Sequence, residues 1–144
     1  MLLNELLIGS LLVSTSVVIH TFGLMAIASL MNRITGHHPI HEFRSKVIAM
    51  VVLVHGILAV HSIEIWVWAM FYSFVGAVPD FGDALYFSAI TFSTIGYSDE
   101  LLSEEFRQFA GMEGLAGFVL IGWSTAYLVA ASTRIGPFQA GKHF

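Results

Sequence analysis

Three stretches of this chain, roughly Leu6 to Leu30, Val47 to Val75 and Phe109 to Ala131, are apolar and long enough to cross a bilayer, which requires about 20 such residues of helix. Lipid offers backbone N–H and C=O groups no partner, so each span must satisfy them internally as an α-helix. Composition agrees, with 56% hydrophobic residues, 11% charged residues and a mean hydropathy of +0.79, far from the balance of a soluble domain. The fold class is an all-α membrane protein with three transmembrane helices. The first span begins close to Met1, but its apolar run exceeds the core of a secretory leader and lacks a basic start or a clear small-residue cleavage site. It therefore reads as a permanent helix. Phe81 to Ser93, between the second and third spans, is too short to cross, and a re-entrant helix fits its length. There is no cysteine, which excludes disulfides and thiolate metal sites.

Charge placement orients the spans. Arg33, Arg44 and Lys46 lie between the first two, and Arg134 and Lys142 follow the third, so five of the six basic residues share one side. The positive-inside rule makes that side cytoplasmic, which predicts a multi-pass protein of the cell inner membrane with its N-terminus outside and its C-terminus in the cytoplasm. Asp80, Asp83, Asp99, Glu100, Glu104 and Glu105 gather on the other side, where carboxylates ringed by an oligomer would concentrate cations. No basic run interleaved with aromatics suggests nucleic acid, and no enzyme site is legible.

The short segment leads into Thr91-Phe92-Ser93-Thr94-Ile95-Gly96-Tyr97-Ser98-Asp99. A dehydrated monovalent cation needs several oxygen ligands at close range, and successive backbone carbonyls of an extended strand supply them when several copies face one axis. Thr94 can add a hydroxyl at the inner end, Ile95 and Tyr97 can pack behind, and Gly96 can take the positive φ that turns a carbonyl inward. The run Thr94-Ile95-Gly96-Tyr97-Ser98 followed by Asp99 resembles the selectivity filter of the two-helix pore potassium channel family, Thr-Val-Gly-Tyr-Gly followed by Asp. The resemblance implies a homotetramer, since carbonyls from one strand cannot surround an ion. It also implies potassium as permeant ion at Thr94, Ile95, Gly96 and Tyr97, with no other cofactor. On this reading residues 1–46 form a peripheral helix and cytoplasmic loop, 47–134 the pore domain, and 135–144 a short tail.

The resemblance extends to Ala116-Gly117-Phe118-Val119-Leu120-Ile121-Gly122, which stands where the family has Ala-Gly-x-x-x-x-Gly in its inner helix. Gly117 is thereby identified as a gating hinge, while the packing alternative is that the glycines of this span simply let helices approach. Tyr86 and Phe87 fall where the family has an aromatic cuff, with Tyr86 placed to brace Tyr97. Asp99 occupies the position of the carboxylate that holds the filter from behind, but its usual pore-helix partner is replaced by Ile90. Ser98 stands where the family has a glycine of positive φ, a conformation that a side chain disfavours by about 1–3 kcal/mol. Three readings remain open: a potassium channel with a softened outer site, a less selective cation pore, and a fold that has kept the shape without conduction.

The second span holds His55, His61 and Glu64 with Trp66, Trp68 and Tyr72. His61 and Glu64 share a helix face, and ionisable groups at membrane depth face protein or water. They read as a proton-sensing pair, a metal site, or a hydrogen-bonded pair that fixes packing. Glu113, one turn before Gly117, reads as a structural partner or a pH sensor, facing the short helix or paired with His61 or Glu64. His37, His38 and His41 read as a solvated loop, and Trp66, Trp68 and Tyr72 as interfacial anchors. His61-Ser62-Ile63-Glu64-Ile65-Trp66-Val67-Trp68 and Gly122-Trp123-Ser124-Thr125-Ala126 also resemble a group of short bacterial channel-like proteins, over most of the chain after residue 47. The competing classes are an accessory or structural subunit of a larger membrane complex and a membrane enzyme or transporter using His20, His61, Glu64 and Glu113. The latter needs an inverted repeat or a richer ligand set than is legible.

Overall fold

All three prolines, Pro39, Pro79 and Pro137, fall between or beyond the apolar stretches, so nothing in those stretches interrupts a helical hydrogen-bond ladder. The computed structural model describes residues 2–37, 43–96 and 102–135. It contains α1 (Leu2–His37), α2 (Phe43–Phe74), α3 (Phe81–Phe92) and α4 (Arg107–Ile135), the last entered through a 3₁₀ turn at Glu104–Phe106. Three of these helices are long and apolar enough to cross a membrane. They overrun the sequence expectation by up to about two turns. The 36 residues of α1 span about 54 Å at 1.5 Å per residue, against a hydrocarbon thickness of about 30 Å. Flanking polar residues keep the helix running into the interface, because leaving it would free backbone groups.

Local chemistry sets the ends of the short element. Asp80 caps α3, its side chain accepting from the Asp83 N–H at 3.0 Å, which satisfies one of the orphan donors of a helix start. The preceding helix, α2, closes with the Ala77 N–H on the Tyr72 carbonyl and the Gly76 N–H on the Ser73 carbonyl. That is a Schellman cap with Gly76 at φ 74°, the residue type suited to a left-handed position.

Long-range contacts fix the topology. Ser16 pairs with Trp68 and His20 with Glu64, so α1 and α2 run antiparallel. Residues of α3 meet α4 with both numbers rising, as in Ser88 with Glu113 and Phe92 against Gly117, so these two run parallel. The short helix lies between α2 and α4 in one half of the bundle, around a cluster containing Trp68, Tyr72, Phe87, Phe92, Phe109 and Leu120. In the other half, α1 and α2 close on Leu24, Ile27, Met31, Leu53, Ile57 and Val60, with Tyr127 and Leu128 of α4 against them. Large apolar side chains are exposed on all three long helices, among them Phe22, Ile48, Leu58, Leu115 and Phe118, as surfaces that face lipid or another copy require.

Candidate functional site

The described start of the expected filter is wound rather than extended. The Thr94 N–H donates to the Thr91 carbonyl at 2.9 Å, and the Ile95 and Gly96 N–H groups donate to the Ile90 carbonyl at 2.9 and 3.0 Å. These bonds satisfy the orphan carbonyls at the end of α3 in the same Schellman geometry that closes α2. The left-handed position, held there by Gly76, is held here by Thr94 at φ 63°. A β-branched residue in that region costs about 1–2 kcal/mol, and backbone strain of this kind concentrates at functional positions. Gly96 has φ 66°, so two residues of positive φ flank Ile95. Ile95 itself, expected behind the filter, is 64% exposed on the single chain. Tyr97, Ser98 and Asp99 lie outside the described residues, as do His38 and His41. The aromatic pair before the filter divides: Phe87 is buried edge-on against Tyr72 with ring centroids 5.2 Å apart, and Tyr86 is exposed.

The end of α3 rests directly on α4. A Cβ at Gly117 would overlap the Phe92 carbonyl oxygen and lie 2.7 and 2.9 Å from the Phe92 carbonyl carbon and Cα. Only a residue without a side chain permits this approach of helix to backbone. One turn earlier, Glu113 is fully buried and reaches both neighbours: Tyr72 of α2 donates its hydroxyl to Oε2 at 2.7 Å, and the Ser88 hydroxyl of α3 meets Oε1 while also lying 2.9 Å from the Ile65 carbonyl. Of the two sequence options for Glu113, the short helix is therefore the neighbour found, and His61 and Glu64 are not its partners. Ile90, which the resemblance places where a bracing carboxylate was expected, is buried. In this chain the carboxyl that ties α3 down comes instead from α4.

Trp68 and Tyr72 are not interfacial anchors. Both are fully buried, because Glu64, Trp68 and Tyr72 recur every four residues along one face of α2 and each finds a polar partner on another helix. Trp68 donates from Nε1 to Ser16 Oγ at 3.1 Å. Trp66 is half-exposed, with Phe81 set edge-on beside it. The four-residue spacing was the available sign of an inward face; the partners Ser16, Ser88 and Tyr72 were not foreseen.

A second polar group lies where the two apolar clusters meet. Glu64 is fully buried, and its oxygens are held by His20 Nδ1 at 3.0 Å and His61 Nδ1 at 2.8 Å. His20 lies 3.5 Å from Ser124 Oγ through Nε2 and against the Trp123 ring, with centroids 5.1 Å apart. His61 packs on Phe92, two residues before Thr94, at 5.6 Å. His55 stays outside this group, its Nδ1 bonded to the Val51 carbonyl within its own helix. Beneath the end of α3 a cavity of about 390 Å³ opens between α2 and α4, lined by His61, Phe92, Ser93 and Ser124 among others. Among the described residues every buried side-chain nitrogen and oxygen has a hydrogen-bond partner, as a low-dielectric interior demands.

Comparison with known sequences finds that a family model described as an ion channel matches residues 50–134, which takes in most of α2, all of α3, the segment after it and nearly all of α4. No curated protein and no solved structure gives a significant match.

Proposed function

This chain belongs to the ion channel family, of the kind built on two transmembrane helices, and from that premise we propose that four copies assemble about one axis into a cation pore, most selective for potassium. The observation that carries the reading is the position of Thr94–Gly96: at the end of a short helix wedged between two spans, inside the matched residues. In this proposal α2 is the outer helix, α3 the pore helix, α4 the inner helix, and α1 a peripheral helix added to the two-helix plan. Carbonyls of Thr94, Ile95, Gly96, Tyr97 and Ser98 replace the hydration shell of the ion. The partial negative charge at the C-terminal end of α3 adds to that field, and Asp80, Asp83, Asp99, Glu104 and Glu105 enrich cations at the mouth. Assembly draws the wound segment into the extended conformation that four facing strands require, and the strain held at Thr94 is released in that step. Gly117 then acts both as the contact that seats α3 and as the point where α4 bends. Native mass spectrometry of the protein released from nanodiscs tests the assembly. A four-chain complex is the expected result, and a monomer as the sole species contradicts the proposal.

A further inference from the structure

We infer that His20, His61 and Glu64 form a buried binding site for a divalent transition-metal ion of the zinc class, linking α1 to α2 beside the end of α3. One nitrogen from each histidine and one carboxylate oxygen all lie within 4.8 Å of one another. Ligand atoms around a tetrahedral ion with bonds of 2.0–2.2 Å are about 3.4 Å apart, so the nitrogen–oxygen distances of 3.0 and 2.8 Å need to widen by only about half an ångström. The donor set, two imidazoles and a carboxylate, is one that zinc prefers, with a fourth position left for water.

Three further observations converge on the same point. Both histidines turn Nδ1 to the Glu64 carboxylate, His20 to Oε1 and His61 to Oε2, so an ion takes the place of the protons in these two hydrogen bonds. Ser124 Oγ lies 3.5 Å from His20 Nε2; on binding an ion the ring takes the tautomer in which Nε2–H donates to Ser124 and Nδ1 offers its lone pair, the way outer-sphere partners orient ligating histidines. His61 and Ser124 both line the cavity of about 390 Å³ between α2 and α4, which leaves room for a water ligand beside them. The electrostatics agree: Glu64 is taken wholly out of solvent, and a carboxylate at that depth needs a countercharge, which a divalent ion supplies directly.

The site does not depend on conduction, and neither does its test. Purified, chelator-stripped protein in nanodiscs is titrated with Co²⁺, and its visible ligand-field bands are followed, with Zn²⁺ added afterwards as competitor. The wild type and His55→Ala should bind one Co²⁺ per chain with the intense bands of a four- or five-coordinate site, abolished by Zn²⁺. His61→Ala and Glu64→Gln should weaken binding by more than about 100-fold, and Ser124→Ala by about tenfold, the usual size of an outer-sphere effect. His61 is the least buried of the three ligands, so its alanine variant should keep native helicity by circular dichroism, and its loss of binding is then read as loss of a ligand. Absence of saturable Co²⁺ binding to the wild type, or a spectrum unchanged in a natively helical His61→Ala, would overturn the assignment.

Discussion

Replacing Gly117 with alanine separates packing from flexibility at the inner helix. The added Cβ would overlap the Phe92 carbonyl and sit 2.7 Å from its carbon, and the obstacle is backbone rather than the free end of a side chain. Relief requires α4 to move away from α3 or the end of α3 to unwind. Overpacking of this kind costs about 1–3 kcal/mol, and the gain in helix propensity returns at most about 1 kcal/mol. With backbone as the obstacle, the net loss should be about 2 kcal/mol, close to a 30-fold shift in the folding equilibrium. Gly114 supplies the control, since a Cβ there meets the Thr91 carbonyl at 3.5 Å, an ordinary contact, and its alanine variant should be at least as stable as wild type, by up to about 1 kcal/mol of helix propensity. Reversible SDS titration in bicelles, followed by tryptophan fluorescence, measures both. Equal stability of Gly117→Ala and wild type, or equal damage at Gly114, would refute the packing argument and leave Gly117 only its bending role.

Three other outcomes follow from the same geometry. Glu113→Gln keeps an acceptor for Tyr72 and offers an N–H to Ser88, so it should hold stability within about 1 kcal/mol, whereas Glu113→Leu strands the buried Tyr72 hydroxyl, Ser88 keeping the Ile65 carbonyl, and should cost about 1–3 kcal/mol; the same titration reads both. Thr94→Gly should stabilise the end of α3 in the unassembled chain by about 1 kcal/mol by removing the left-handed strain, while the lost hydroxyl lowers the potassium preference of any flux through the assembled pore, read as a potassium-to-sodium permeability ratio. Trp68→Phe should lose about 0.6–1.7 kcal/mol, the range of interhelical hydrogen bonds in membranes, and a double-mutant cycle with Ser16→Ala should show that the two losses are one interaction.

The spans were legible because length and hydropathy alone force a membrane helix, and their ends were not, because a helix does not stop where the lipid does. Asp80 has the residue type and position of a helix cap, although in the sequence alone it reads only as part of the acidic mouth. The end of α3 was legible to within a residue, at Ser93 against Phe92, but the turn that follows was not, since a Schellman turn normally advertises itself with glycine, as at Gly76, and Thr94 gives no such sign. Glu113 was visible as a buried acid, but its partners Tyr72 and Ser88 lie 41 and 25 residues away, and sequence spacing carries no information about pairs on different helices. The same holds for His20, 44 residues from Glu64, whereas His61 and Glu64 were recognisable as neighbours on one turn. Tryptophan and tyrosine in a span suggest the interface by composition, and only the shared four-residue face with Glu64 pointed Trp68 and Tyr72 inward.

Cation flux from proteoliposomes under a potassium gradient, repeated under a sodium gradient with Ser98→Gly alongside the native protein, shows whether this chain forms a potassium-preferring pore. Potassium flux should exceed sodium flux in the native protein, with a sharper preference once Ser98 is glycine. Silence of both proteins to both ions, in vesicles shown to hold four-chain complexes, would contradict that expectation and leave the pore fold in the role of an accessory subunit.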